Sequence, residues 1–318
     1  MRRAGIRELS FLWIFACACD SGLEPTDSWS SGAPLPEPIQ ELHGAVLNGD
    51  IFVAGGFDTG ADATSAVYRF DPEANVWTTW APLPEPRHHM PIAVANDTLY
   101  AVGGLGAGGA AATLWLYDAS ADTWESRASM PEPRGASALG VIDGRIFVVG
   151  GYGSGGALLD SIAIYDPGSD QWHRGAPIPT ARDHLGAGVV DRRLYAIGGR
   201  PRDADNNFAV CESYDPAADT WSTCPPMPTA RGGLAVVALG GSIYTYGGET
   251  SSLVFEAHEA FDSESGEWRT LDPLPTPRHG LAAASVGGRI YTIGGGPSAG
   301  FAQTAVVEIF TPGDRPYP

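Results

Sequence analysis

Short apolar stretches ending in a glycine pair dominate the hydrophobic pattern. They read IFVAGG (51–56), LYAVGG (99–104), IFVVGG (146–151), LYAIGG (194–199), IYTYGG (243–248) and IYTIGG (290–295). The first glycines stand at 55, 103, 150, 198, 247 and 294, so the spacing is 47 to 49 residues. A fixed period of that size marks stacked or radial repeat units. Beyond the N-terminus no long apolar run of helical period occurs.

Other positions keep phase with the glycines. Sixteen residues before the first glycine stand Ile39, Arg87, Arg134, Arg182, Arg231 and Arg278. Ten residues earlier stand Trp29, Trp77, Trp124, Trp172, Trp221 and Trp268. Seven residues before each tryptophan from Trp77 onward comes Phe70, Tyr117, Tyr165, Tyr214 or Phe261, always followed by Asp. A small-residue strand such as GAGVV (186–190) leads through a tight turn into LYAI, and a Tyr-Asp strand leads through a second turn into a Trp strand. Each repeat is thus predicted to be four short antiparallel strands. Gly and Ala in the first strand suit a crowded centre, and Trp in the last suits a wide rim. Wedge-shaped sheets of this kind close radially into a propeller.

Composition supports that picture. The chain has 318 residues with 42 Gly and 26 Pro, as many short strands and turns require. The net charge is −18 and every basic residue is arginine. Net acidity with no basic stripe argues against a nucleic-acid partner, and none is expected.

The N-terminus reads MRRAGIRELSFLWIFACACD. Arg2, Arg3 and Arg7 precede a short apolar stretch, Leu9 to Ala18, the layout of an export signal. Small residues before a cysteine resemble a bacterial lipoprotein signal, with Cys17 or Cys19 as the lipidated residue; an ordinary cleaved signal is the alternative. Residues 1–19 are read as this signal, 20–28 as a polar tether and 29–318 as the propeller. The expected location is outside the cytoplasm, periplasmic or at the cell surface, with membrane contact only through the lipid. No signal for oligomerisation is present, and a monomer is expected.

Glycine pair, Tyr-Asp-Pro, tryptophan and Pro-Arg in this order resemble the kelch repeat, over residues 29 to about 312. The resemblance implies an all-β, six-bladed β-propeller with four antiparallel strands per blade. VVEIFTP (306–312) follows the sixth glycine pair without a tryptophan, whereas Trp29 precedes the first pair without a third strand. The segment around Trp29 is therefore expected to close the ring as the outer strand of the last blade. Tyr214 and Trp221 face each other across a hairpin, and Cys211 and Cys224 sit symmetrically outside them. A disulfide is expected there in an exported protein, with two packed thiols as the alternative.

Length varies only between the glycine pair and the aromatic, in the loop joining the second and third strands. That loop shares a face with the blade-to-blade connection carrying Pro-Arg. Variable loops on a rigid scaffold are where binding resides. The candidate ligand-binding residues follow the glycine pairs (Phe57, Leu105, Tyr152, Arg200, Glu249, Gly296) or enter the inner strands (Arg87, His88, Arg134, Arg182, His184, Arg231, Arg278, His279, with Glu41 and His43). Clustered arginines would bind a carboxylate, sulfate or acidic peptide. Their recurrence in every repeat favours a structural role, bonding to carbonyls of a neighbouring blade. His88 and His89 are adjacent and should point to opposite faces of a strand. With no metal-binding spacing in the sequence, no metal and no cofactor is expected.

Kelch propellers mostly serve as interaction platforms, so the first expectation is a protein- or glycan-binding platform rather than an enzyme. The resemblance also admits a bacterial exported class that interconverts anomers of sialic acid. The alternative is therefore a sugar-acid mutarotase similar to bacterial N-acetylneuraminate epimerases. The copper-dependent galactose oxidase type needs a crosslinking cysteine near the axis, and here both domain cysteines fall in outer strands.

Overall fold

The computed structural model describes residues 26–313. The export-type segment 1–19, with Cys17 and Cys19, lies outside the described residues, as does the tether up to residue 25. The described chain forms six four-stranded antiparallel sheets, with a single 3₁₀ turn at Ser154–Gly156.

Blade 4 shows how the repeat encodes this. Its strands, from the axis outward, are Gly186–Val190, Arg193–Ile197, Cys211–Asp215 and Thr220–Cys224. Asp191 and Arg192 join the first two, with φ of 48° and 61°. Two left-handed residues are what a two-residue type I′ hairpin turn needs. The inner strands of neighbouring blades converge on a channel of ≈ 350 Å³, and residues such as Gly186, Ala187 and Gly188 line it. At the rim Tyr214 stands opposite Trp221. The Trp221 indole N–H donates to the Ala176 carbonyl at the end of blade 3, 2.8 Å away. Trp77, Trp124, Trp172 and Trp268 make the equivalent bond.

Apolar side chains are buried between blades. Phe147, Val149 and Ile162 of blade 3 pack on Leu194, Ala196 and Tyr214 of blade 4, and the layer recurs around the ring. The ring closes as expected. Ser28–Ser31 pairs with Val307–Thr311 as the outer strand of blade 6, and Trp29 stands opposite Phe310.

The glycine pairs stitch these blades together. Gly198 and Gly199 have φ of 64° and 96°, and the Gly199 N–H donates to the Arg231 carbonyl at 3.0 Å. A Cβ on Gly198 would lie 2.7 Å from that same carbonyl oxygen. Left-handed backbone and close approach together demand glycine. The bond recurs in every blade, and across the seam Gly295 donates to the Ile39 carbonyl at 2.8 Å.

Cys211 and Cys224 stand directly opposite in blade 4, with Cα atoms 5.2 Å apart, and are joined as a disulfide. Replacing both with serine is expected to lower stability by roughly 2 kcal/mol, since the bond closes a short loop. The urea midpoint measures this, and an unchanged midpoint would show the bond to be dispensable.

Candidate functional site

The recurring arginines lead back into the blades. Arg134, Arg182, Arg231 and Arg278 are at most 1% exposed. Arg182 donates to the carbonyls of Gly198 and Ala196, at 2.7 and 2.9 Å, and to the Glu212 carboxylate at 2.5 Å. Arg278 binds the Gly294 carbonyl and Glu308 in the same way, at 2.7 Å each. Arg231 pairs with Glu259 at 2.6 Å, and Arg134 donates to Ser161. The bonded carbonyls belong to the blade each arginine leads into. Arg87 differs: it bonds Glu85 and the Pro86 carbonyl, lies over the Trp115 ring and lines a surface recess.

The entry segments and the post-glycine loops do meet on one face. Single bridges join Gln40 to Phe57, His88 to Leu105, Gly135 to Tyr152, Asp183 to Arg200, Gly232 to Glu249 and His279 to Gly296. One residue inward, at the axis, a ring forms from Glu41, His89, Ala136, His184, Gly233 and Gly280. Each has φ between 50° and 67°. Each N–H donates to the carbonyl of the ring residue before it, and Glu41 N–H closes the circle on Gly280 at 2.6 Å. This hydrogen-bonded circle is the floor of the loop-face mouth.

Three floor positions carry titratable side chains that converge. Glu41 Oε2 lies 3.1 Å from His89 Nε2, which lies 3.0 Å from His184 Nε2. Behind them, His184 Nδ1 meets the buried Asp183 carboxylate at 2.5 Å, and His89 Nδ1 meets His88 Nδ1 at 2.5 Å. The adjacent histidines therefore do not point to opposite faces. The left-handed backbone at His89 (φ 50°) breaks the strand alternation that the sequence implied. Likewise His184 converges with His89, whereas His279 joins Glu41 and Glu249, 3.4 Å from each. Arg200 Nη1 holds Glu249 at 3.1 Å.

These neighbours set the charges. Burial would raise the Glu41 carboxyl, but the charges of His89 and His279 overcome it and hold it well below the usual carboxylate range. Burial depresses His89 well below the ordinary histidine range against the opposing charge of Glu41. Burial also takes His88 and His43 down to about 4. His279 goes the other way: burial opposes its charge, but Glu41 and Glu249 raise it.

Above the floor the rim is partly aromatic. Phe57 stacks on His88 with ring centroids 3.9 Å apart, and the exposed Phe301 meets the Phe57 edge at 5.2 Å. Across the mouth the Arg202 guanidinium lies over the Tyr152 ring at 4.8 Å. His88, Leu105, Tyr152 and Arg202 line a recess of ≈ 440 Å³. Arg202 follows Arg200 in the loop after the fourth glycine pair; Glu41 is among the strand-entry candidates of the sequence, whereas His89 is not. The signal for His89 is the column two residues after Ile39 and the five arginines, which reads Glu, His, Ala, His, Gly, Gly instead of keeping one residue type.

Repeat, blade and seam define a kelch-repeat β-propeller, and comparison with known proteins agrees. The KLHDC2/KLHL20/DRC7 Kelch-repeats domain matches residues 26–178, and the Kelch motif matches 181–228 and 230–275. The chain is a kelch-repeat protein. No curated protein matches it. A solved structure titled "Structure of YjhT" superposes with a TM-score of 0.77 at 16% identity, over 89% of this chain and 97% of that one. At that identity the likeness is one of fold.

Proposed function

We propose that the chain is an exported propeller that binds a glycan at its loop face. The observation behind this reading is the contrast among the six floor positions. The fold accepts Ala136, Gly233 and Gly280 there, so it has no need of Glu41, His89 and His184. A non-glycine residue with positive φ costs on the order of 1 kcal/mol or more, and such strain gathers at functional sites. The adjoining recess has the size and mixed character of a sugar site: an aromatic ring from Tyr152, and polar groups from His88 and Arg202. Arg134, Arg182, Arg231 and Arg278 are buried in the blades and do not line this recess.

A melting-temperature screen against neutral sugars, sugar acids including N-acetylneuraminate, and oligosaccharides tests the reading. A ligand bound only by the folded state raises the midpoint with concentration. A saturable shift whose affinity Tyr152→Ala weakens about fivefold supports a glycan site, an aromatic contact contributing roughly 1 kcal/mol. No shift across the panel would sink it and favour a protein partner on the same face.

One observation favours a second reading, a sugar-acid mutarotase. His279 and Glu41, 3.4 Å apart, are a buried acid–base pair at the floor. Opening the ring requires one group to take the proton of the anomeric hydroxyl, as the C=O forms, and another to protonate the departing ring oxygen. Faster anomer exchange of N-acetylneuraminate, lost in Glu41→Gln, would establish it, and an unaltered rate would remove it.

A further inference from the structure

We propose that Glu41, His89 and His184 are the protein ligands of a divalent transition-metal ion on the propeller axis. The site stands independently of the glycan reading. Its three donor atoms, from three different blades, all lie within 4.8 Å of one another. The two close spacings are 3.1 Å, Glu41 Oε2 to His89 Nε2, and 3.0 Å, His89 Nε2 to His184 Nε2. Bonds of about 2.1 Å to one ion place neighbouring donors ~3.0 Å apart at right angles and ~3.4 Å apart at tetrahedral angles. Two histidines and one carboxylate on one side of an ion, with the other positions open, form a known divalent-metal face.

The surrounding groups fit a ligand set. Asp183 is fully buried, and its carboxylate at His184 Nδ1 fixes the proton there. That turns the lone pair of His184 Nε2 toward the centre, the arrangement in which a carboxylate orients a metal-bound histidine. His89 Nδ1 is engaged by His88, so the Nε2 atom of His89 also faces inward. Two imidazole nitrogens and a carboxylate oxygen then crowd one point. A cation there would accept all three lone pairs at once, whereas a proton on His89 Nε2 would have to be shared between Glu41 and His184.

Charge and space agree. Glu41, Asp183 and Glu249 bring three carboxylates together, and Arg200 is the guanidinium that reaches two of them, at 3.1 Å from Glu249 and 3.7 Å from Asp183. His279 lies 3.4 Å from Glu41 and Glu249, and a cation at the three donors adds positive charge where carboxylates outnumber guanidinium groups. The three small floor residues, Ala136, Gly233 and Gly280, leave a cavity of ≈ 30 Å³ against the ligand atoms. That holds an ion with about one water. His279 sits beside the site as a positioning residue, 3.4 Å from the second oxygen of Glu41. Its Nδ1 atom lies between Glu41 and Glu249, 3.4 Å from each, and its Nε2 atom faces the Ser298 carbonyl at 3.1 Å.

The test is a titration of chelator-treated, untagged protein with Zn²⁺ by calorimetry and with Co²⁺ by visible absorption. One equivalent should bind, with a Co²⁺ spectrum of nitrogen and oxygen ligation. His89→Ala and His184→Ala should each weaken binding about a hundredfold or more, and Asp183→Asn about 10–100-fold as a positioning change. The alanine variants should fold, because Ala136 occupies the same ring position. If one does not, the imidazole NMR signals of the wild-type protein decide: bound Co²⁺ should shift those of His89 and His184 most strongly. Absence of stoichiometric binding would overturn the proposal. So would wild-type affinity in both alanine variants, or paramagnetic shifts centred elsewhere.

Discussion

Arg182→Ala is expected to destabilise the propeller by about 3–5 kcal/mol, because it strands a buried charge. Arg182 and Glu212 are 0% and 2% exposed. The guanidinium also serves the carbonyls of Thr180, Ala196 and Gly198, where the inner hairpin of blade 4 meets its glycine pair. Its loss leaves Glu212 buried with the Thr180 hydroxyl, at 2.8 Å, in place of a cation, and leaves strand-end carbonyls without their donor. Arg182→Met combined with Glu212→Leu removes both charges and should recover part of the loss, though not the carbonyl bonds. Urea denaturation of the three variants measures this. Arg278→Ala, which separates from Glu308, should behave alike. Ligand binding that falls while the midpoint holds would instead assign these arginines to the mouth. A loss below about 1 kcal/mol would mean that water replaces the guanidinium at little cost.

The arginine and histidine columns show where the sequence is legible and where it is not. Blade number, strand order and the seam at Trp29 follow from phase, because a missing strand at one end must be supplied by the other. The Cys211–Cys224 pair follows from hairpin register. The variable loops and strand entries also come out on one face, because antiparallel strands of fixed number allow nothing else. Side-chain direction at the entries is different. Period-two alternation holds only while the backbone is extended. At Glu41, His89 and His184 the backbone is left-handed, and that single dihedral swings three side chains toward the axis. Arg182, two residues before His184, instead turns back along blade 4 to the carbonyls of Ala196 and Gly198, where the glycine pair ends the strand. Only the backbone conformation distinguishes these two outcomes, and neither residue type prescribes it.

The seam gives the second large effect, in acid. His258 of blade 5 is 1% exposed, stacks on Tyr246 at 4.4 Å and meets the edges of Phe310 and Trp29, at 4.5 and 5.5 Å. Phe310 and Trp29 belong to the two strands that close the ring. Burial pushes His258 down to about 4, against the Asp272 carbonyl that accepts from Nδ1 and the charge of Asp27, with Arg231 assisting. The sign follows from proton uptake. Between the ordinary histidine value near 6.5 and about 4, the unfolded chain binds a proton that the folded chain refuses. Stability from this group is thus full above pH ~6.5 and falls as the pH drops, by about 3 kcal/mol at pH 4. Carboxylates titrate in the lower part of that range, so the measurement compares His258→Phe with the wild type. Phenylalanine keeps the ring between Trp29 and Tyr246, gives up the Nδ1 bond and cannot be protonated. Its urea midpoint should begin slightly lower at pH 7 and decline less steeply toward pH 4, so the two curves cross. Parallel curves would place the acid sensitivity elsewhere. A crossing would identify the joint between the first strand and blade 5 as the place where protons open the ring.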